Sequence, residues 1–575
     1  MKKLFSIIAT ALLFTSCVDT VLLPDDKTVE QDYWKTKGEV SQMVNGAYQA
    51  MGSSNIIQRL IVWGDFRSDE LTPVTSISDG TMTALNESDG VNIQTTNTFA
   101  TWGDIYNVIN DCNVVLQKAE GVMSIDPSYT EGDYQTDRSQ MLALRALCYF
   151  YLVRNFRDVP YITEAYMNSS QRMDVPQASP DSVLNGCIKD LKEAEQNALD
   201  PSGYTGWRQK GFINRDAIQS ILADIYLWRG SVKHDASDYQ QCVEYCDKVI
   251  ASKKANHVKG VNELSEKAYP LADGKNAFRE LYIDQNAEES IFELQFDGRN
   301  NSNSGLVTML YKYKNNNSTT GYMSVSSILG ENSTVYVNNN QAKTSDYRFK
   351  ENVYSAGTGS GDYTVRKMIA EQPLTTSDPK DATGQSNSHS RSSANFAQNY
   401  IFYRLSDVML MKAEALTALA SGDNDGQLRQ AFNLVQYVNS RSIYEGSLSA
   451  DSLKWQYYNN RTSMENLVLN ERLRELSFEG KRWYDLLRYN YRHIDAADYS
   501  KTLYRLNEEG YTFSKNDQNF LNLVTRKYTS GGQAAAAKMR SELYLYWPVN
   551  HSDMVVNRAL HQNPAYSDED EFVKN

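Results

Sequence analysis

The chain has little of what a metal enzyme or a disulfide-stapled domain needs. Its 575 residues include only six cysteines and six histidines. His234, His257, His389, His493, His551 and His561 form no H-E-x-x-H or other metal-ligand spacing. Cys242 and Cys246 are four apart on one helix face, yet no nearby His or Cys completes a set of ligands. With Cys17 set aside, Cys112, Cys148, Cys187, Cys242 and Cys246 remain, an odd number that argues against a full disulfide framework. No G-x-S-x-G elbow is present. The glycine-rich run at 357–361 lacks the Lys-Ser/Thr of a phosphate loop. Basic charge is in deficit, 58 Lys and Arg against 71 Asp and Glu, for a net charge of -13. A phosphate-backbone binder needs a basic face, so nucleic acid is not an expected partner. Long apolar runs are missing too. The one at residues 4–14 is too short to span a hydrocarbon core of about 30 Å.

That short run has a meaning of its own. Lys2 and Lys3 precede it and Ser16-Cys17 closes it. This is the layout of a bacterial lipoprotein signal. Residues 1–16 are expected to be removed, Cys17 to be lipidated, and 17–32 to form an acidic tether. The rest should then be anchored to a membrane without spanning it. Tyrosine is abundant, 38 against 18 phenylalanines. Its ring and hydroxyl suit both helix packing and ligand sites.

Helical periodicity dominates from 33 to about 252. Segments 38–51, 102–118, 141–153, 180–197, 214–228 and 239–250 carry it. Residues 141–153 are apolar almost all round except Arg145, so this helix should be buried and Arg145 should find a carboxylate or carbonyl. Asn214 fits an N-cap and Gly230 a helix stop. The elements come in pairs of similar size, which favours a helical-repeat scaffold over a single bundle. Between 253 and 400 the composition turns to Asn, Ser, Gly, Thr and Tyr, and periodicity fades. Only 290–296 alternates like a strand. Helices return at 403–420, 427–441 and 464–489, and 490–575 is again irregular. The fold expected is mainly α: tetratricopeptide-like repeats at about 33–252 and 402–489, wrapped by a loop-rich insertion at about 253–400 and an irregular C-terminal part.

The run from Asn470 to Arg488 is the most specific in the chain. Leu469, Leu473, Leu476, Gly480, Trp483 and Leu487 fall at steps of three and four and make one buried stripe. Gly480 on that stripe costs about 1 kcal/mol against alanine in a helix, so a close backbone approach is expected there. Glu471, Glu475 and Glu479 interleave with Arg472, Arg474 and Arg482 as ion pairs at helical spacing.

This run resembles the E-R-x-x-E-L-x-F-E-G-x-R-W-x-D-L-x-R motif of the SusD/RagB family of surface nutrient-binding lipoproteins. Further blocks resemble the family in order: Trp102 to Asn113, Arg145 to Leu152 followed by Phe156, Val159 and Pro160, Ile218 to Leu227, and Tyr403 to Ala415. The tail is similar as well, with Tyr546-Trp547-Pro548-Val549, Asn557, Leu560 and Gln562-Asn563-Pro564 before Tyr566. Asn550 stands where the family has a second proline. The resemblance implies a single domain over 33–575, built of about four helix pairs wrapped by irregular, loop-rich structure, on the outer membrane of Bacteroidetes-type bacteria. It implies a lid on a SusC-like TonB-dependent transporter barrel, binding oligosaccharides or, in some members, peptides. It implies no catalysis, although carboxylate pairs alone leave a surface glycosidase open; from the residues themselves no cofactor and no metal site is expected.

By the same resemblance, ligand contacts come from the loops after the first helices and from the central insertion. Trp63, Arg67, Asp69 and Asn92 are the candidates in the first region. Tyr311, Tyr313, Tyr322 and Tyr336 are those in the second, with Tyr347 nearby. Flat aromatic faces beside Asn, Asp or Arg are what sugar rings and their hydroxyls require.

Overall fold

The computed structural model describes residues 33–168, 171, 173–257, 269–311, 321–330, 333, 335–336, 345–355, 363–370, 395–444, 447, 452–494, 505–506 and 513–567. Cys17, the tether and Tyr313 lie outside the described residues.

The helices begin where local chemistry tells them to. In α1 (Lys37–Met51), Thr36 and Glu39 form a reciprocal capping box. Next come α2 (Ser54–Ile61) and α3 (Gly80–Asp89), which the periodicity did not single out. α4 (Gly103–Val122) precedes α5 (Glu131–Phe156), capped by a box between Thr130 and Asp133. α6 (Pro180–Asn197) has Ser179 as cap and proline in its first turn, where no N–H is needed. α7 (Arg215–Lys233) is capped by Asn214, as expected. It runs past Gly230 and ends at His234, which takes the left-handed conformation at φ 54°. α8 (Ala236–Ala255) follows. Each of these long helices packs on its neighbours in chain order, and the row continues through α10 (Leu405–Leu419), α11 (Gly426–Ser442) and α12 (Arg461–Leu476). This is the expected repeat stack.

α5 is buried on every side from Ser139 onward. Arg145 within it finds its partner: its guanidinium donates to Asp190 at 2.7 and 2.9 Å and to Asn113 Oδ1 at 2.7 Å.

Strands are few and short. β1 (Leu71–Pro73), β5 (Met323–Val325), β6 (Val353–Ser355) and β7 (Tyr363–Val365) form an antiparallel sheet in the order β1-β5-β7-β6. This sheet ties the first loop to the central insertion. β2 (Val159–Pro160) pairs with β3 (Gln177–Ala178). β4 (Ser290–Leu294) pairs with β8 (Tyr400–Arg404), where Phe292 stacks on Phe402 at 5.2 Å. The helix expected from 403 therefore starts only at Leu405. α9 (Ser304–Leu310) packs on α2.

The expected helix 464–489 is two helices. α12 stops at Leu476 and α13 (Arg482–His493) starts afresh. Between them Phe478 and Gly480 have φ of 65° and 72°. The free N–H groups of Gly480 and Lys481 at the start of α13 are taken by Asp65, at 2.8 and 3.2 Å. Gly480 is thus a turn residue, not a mid-helix one. Its close approach is nevertheless real and comes from Gly64. The part after 490 also contains α14 (Gln518–Thr525), which packs on α13.

Candidate functional site

The motif 470–488 is an interior lattice of charge. Arg404 Nη1 reaches Glu289 at 2.9 Å and Glu475 at 2.5 Å, and its Nη2 reaches Glu479 at 2.9 Å. Arg348 bridges Glu471 and Glu475 at 2.8 Å each. Arg441 pairs with Glu289 and Glu475, and Lys367 with Glu479. Arg472 joins Asp407 and Asp485, both at 2.9 Å. These residues are buried, save Arg441, whose side chain alone is, at 6% exposure. Most pairs therefore join distant segments; Arg474–Glu471 and Arg488–Asp485 are the ones at helical spacing. Burial pushes Glu475 up, but Arg441, Arg404 and Arg348 outweigh it and hold the carboxyl well below its usual range. Carboxylates this fully paired hold the fold together and present no open acid to a substrate.

Several sequence candidates are structural as well. Trp63 is wholly buried, with its indole N–H donating to Phe99 O at 3.0 Å and its ring edge-on to Phe156. Arg67 lies over the rings of Trp483 and Trp547 and donates to the carbonyls of Leu545 and Tyr544. Asp69 is wholly buried between Arg482 and Arg526. Tyr336 is buried and accepts from Asn352, and Tyr311 is buried edge-on to Phe396. None of these offers a face to a sugar ring. Their aromatic and charged character serves packing, which local sequence cannot distinguish from ligand contact.

Three candidates keep exposed surface: Tyr322, Asn92 and Tyr347, the last half-buried with its ring 5.8 Å from that of Tyr444. Tyr322 is half-buried, and its hydroxyl donates to Asp79 Oδ2 at 2.7 Å. Asp79 caps α3 through the Met82 N–H. Asn92 is exposed beyond the other end of α3 and accepts from Lys538 Nζ at 2.7 Å. The surface along α3 is therefore polar.

The sequence reading missed a second surface. A groove of about 760 Å³ lies between α1, α5, the segment around Trp207–Phe212 and the chain leaving β4. Trp207 stands at its rim with 44% of its surface exposed. It is the one exposed tryptophan of the eight; the others are buried or half-buried. Its ring rests on the backbone of Gly211, where a Cβ would come 2.7 Å from the indole. Phe212 holds it edge-on at 5.6 Å and also packs on Tyr48 at 5.3 Å. The Arg208 guanidinium lies 4.8 Å from the ring centroid. The signal was present as Trp207-Arg208 among glycines and polar residues, outside any helical stripe.

Among the described residues no group of three or more His, Cys, Asp and Glu could hold a metal ion. The five described cysteines are buried thiols, and burial pushes Cys112, Cys148, Cys187 and Cys242 up. No described helix is long and apolar enough to cross a membrane.

Known proteins share this architecture. SusD-like protein P38 of Formosa agariphila is 23% identical over 530 residues, covering 85% of this chain and 92% of that one. A SusD superfamily protein of Bacteroides thetaiotaomicron superimposes with a TM-score of 0.63 at 22% identity, covering 93% of this chain and 99% of the other. A laminarin-binding SusD-like protein superimposes with a TM-score of 0.62 at 20% identity, covering 92% and 100%. Residues 23–227 match a family described as starch-binding associating with outer membrane. Residues 219–566, more than half of the chain, match the SusD family, and the chain belongs to it.

Proposed function

We propose that this protein is a cell-surface glycan-binding subunit of an outer-membrane uptake system. It is held to the membrane by lipid on Cys17, and it captures oligosaccharides and covers a SusC-like TonB-dependent barrel as a lid. Membership of the SusD family carries this reading. The outer-membrane, starch-binding description of the family matched at 23–227 supports it, as does the laminarin named for one structural neighbour. The protein acts by binding, in keeping with the sealed pairing of the motif's carboxylates. The polar surface at Asp79, Tyr322 and Asn92 is the expected ligand region that still faces solvent.

Affinity electrophoresis of the purified protein against neutral polysaccharides tests the binding. Retardation by at least one of them is the expected result, and migration unchanged by every one overturns it. In cells, Cys17→Ser is expected to release the protein from the outer membrane, and a chain that stays bound to it refutes the lipid anchor.

A further inference from the structure

We infer that the groove at Trp207 is a second carbohydrate-binding site, taking neutral hexose units apart from the surface at Asp79 and Tyr322. This rests on the glycan-binding reading and adds a place and a mode of contact to it.

The aromatic part is built, not incidental. A singly exposed aromatic signals nothing by itself. Here Gly211, Phe212 and the turn at Gly206, with φ 59°, hold the indole at the edge of a concavity. Phe212 and Tyr48 continue the apolar surface inward. The CH-rich faces of a pyranose ring fit such a surface, because indole carbon loses water there without losing hydrogen bonds.

The polar part comes from Gln140. It is only 3% exposed, yet it lines the groove. The Ile213 N–H donates to the Tyr48 hydroxyl at 3.0 Å, so that hydroxyl is free to donate to Gln140 Oε1, at 2.9 Å. This fixes the carboxamide with its oxygen bound. Its NH2 has no partner among the described residues. The amide nitrogen is left to donate into the groove, where a ligand hydroxyl would accept from it. Asn45 and Gln49, one turn apart on α1, are exposed on the same wall, and their side chains hydrogen bond nothing among the described residues.

Carboxamides both donate and accept, as sugar hydroxyls do. The carboxyls of the lining are Asp137 and Asp297. Asp297 is engaged by the backbone N–H groups of Arg299, Asn300 and Asn301. Two acids beside one arginine, Arg208, give no net positive field for a uronic or sulfated chain. The volume lies in the range of about 300–1,000 Å³ usual for small-molecule sites.

The test compares wild type, Trp207→Ala, Trp207→Phe and Tyr322→Ala by affinity electrophoresis in gels containing laminarin, starch, mannan or xylan. Tryptophan emission is read on titration with the matching oligosaccharide, and a protein digest serves as a peptide control. For a glycan that retards wild type, Trp207→Ala is expected to weaken binding by about tenfold or more, while Trp207→Phe keeps most of it. Both variants should melt like wild type. The ligand-dependent change in emission should vanish in Trp207→Phe. If wild type binds a glycan and Trp207→Ala binds it equally well, the groove is not a sugar site, while the glycan reading stands. If wild type ignores every glycan, or binds the digest alone, both readings fall.

Discussion

Gly64 and Gly480 meet backbone to backbone: a Cβ on Gly64 would lie 2.7 Å from the Cα of Gly480. One residue on, Asp65 accepts the Gly480 N–H at 2.8 Å. The first loop and the signature motif, far apart in sequence, are thus one structural unit. Gly480 has a second constraint, since its φ is 72° and a Cβ there would collide with the Tyr400 hydroxyl.

Gly64→Ala should therefore destabilise the fold by roughly 1–3 kcal/mol or more, because only backbone could give way. Gly46→Ala, in α1 with nothing within 4 Å of its Cβ, should stabilise by up to about 1 kcal/mol. Thermal melts of the two variants check the pair. Equal melting temperatures would mean that the glycine contact does not matter.

Glu475→Gln removes one charge from a cluster in which Arg404, Arg441 and Arg348 all lean on it. Breaking a buried pair by losing one partner costs about 3–5 kcal/mol. Urea unfolding should show a loss of that order. A loss under about 1 kcal/mol would show that solvent or a rearrangement replaces the missing charge.

Asp69 gives a pH signature. Burial raises its carboxyl, but Arg482 and Arg526 outweigh burial and hold it well below the usual range. A depressed folded-state pKa contributes stability above the unfolded value of about 3.9, and this is lost as pH falls through the folded value. Melting temperature should fall below about pH 4, less steeply in Asp69→Asn than in wild type. Parallel acid curves for the two proteins would refute the assignment.

Trp63→Ala should cost about 3–5 kcal/mol, as for other buried large aromatics. It should leave glycan affinity of the folded protein unchanged, because the ring has no exposed surface. Calorimetry on the folded variant below its melting temperature separates the two effects. A specific loss of affinity in a stable Trp63→Ala protein would return Trp63 to the ligand site.

Much of the fold was legible because helices announce themselves locally. The segment beginning at Pro180 and the cap at Asn214 marked the starts of α6 and α7, and the apolar run around Arg145 required a partner that Asp190 supplies. What local sequence could not show was tertiary. Asp65 caps α13 from across the molecule, so the break at Phe478–Gly480 was invisible within 464–489. The alternation of Glu and Arg suggested pairs along one helix, whereas Arg348, Arg404 and Arg441 arrive from elsewhere. The site was less legible still. Exposure separates Tyr322 and Trp207 from Trp63 and Tyr336, and exposure is not a local property.

The central claim is that this protein binds glycans. Isothermal titration of the purified protein with soluble neutral oligosaccharides, and in parallel with a peptide digest, tests it most directly. Saturable heat with at least one oligosaccharide, and none with the digest, is the predicted result. Saturable heat with the digest alone would contradict the account and make the protein a peptide-binding member of its family.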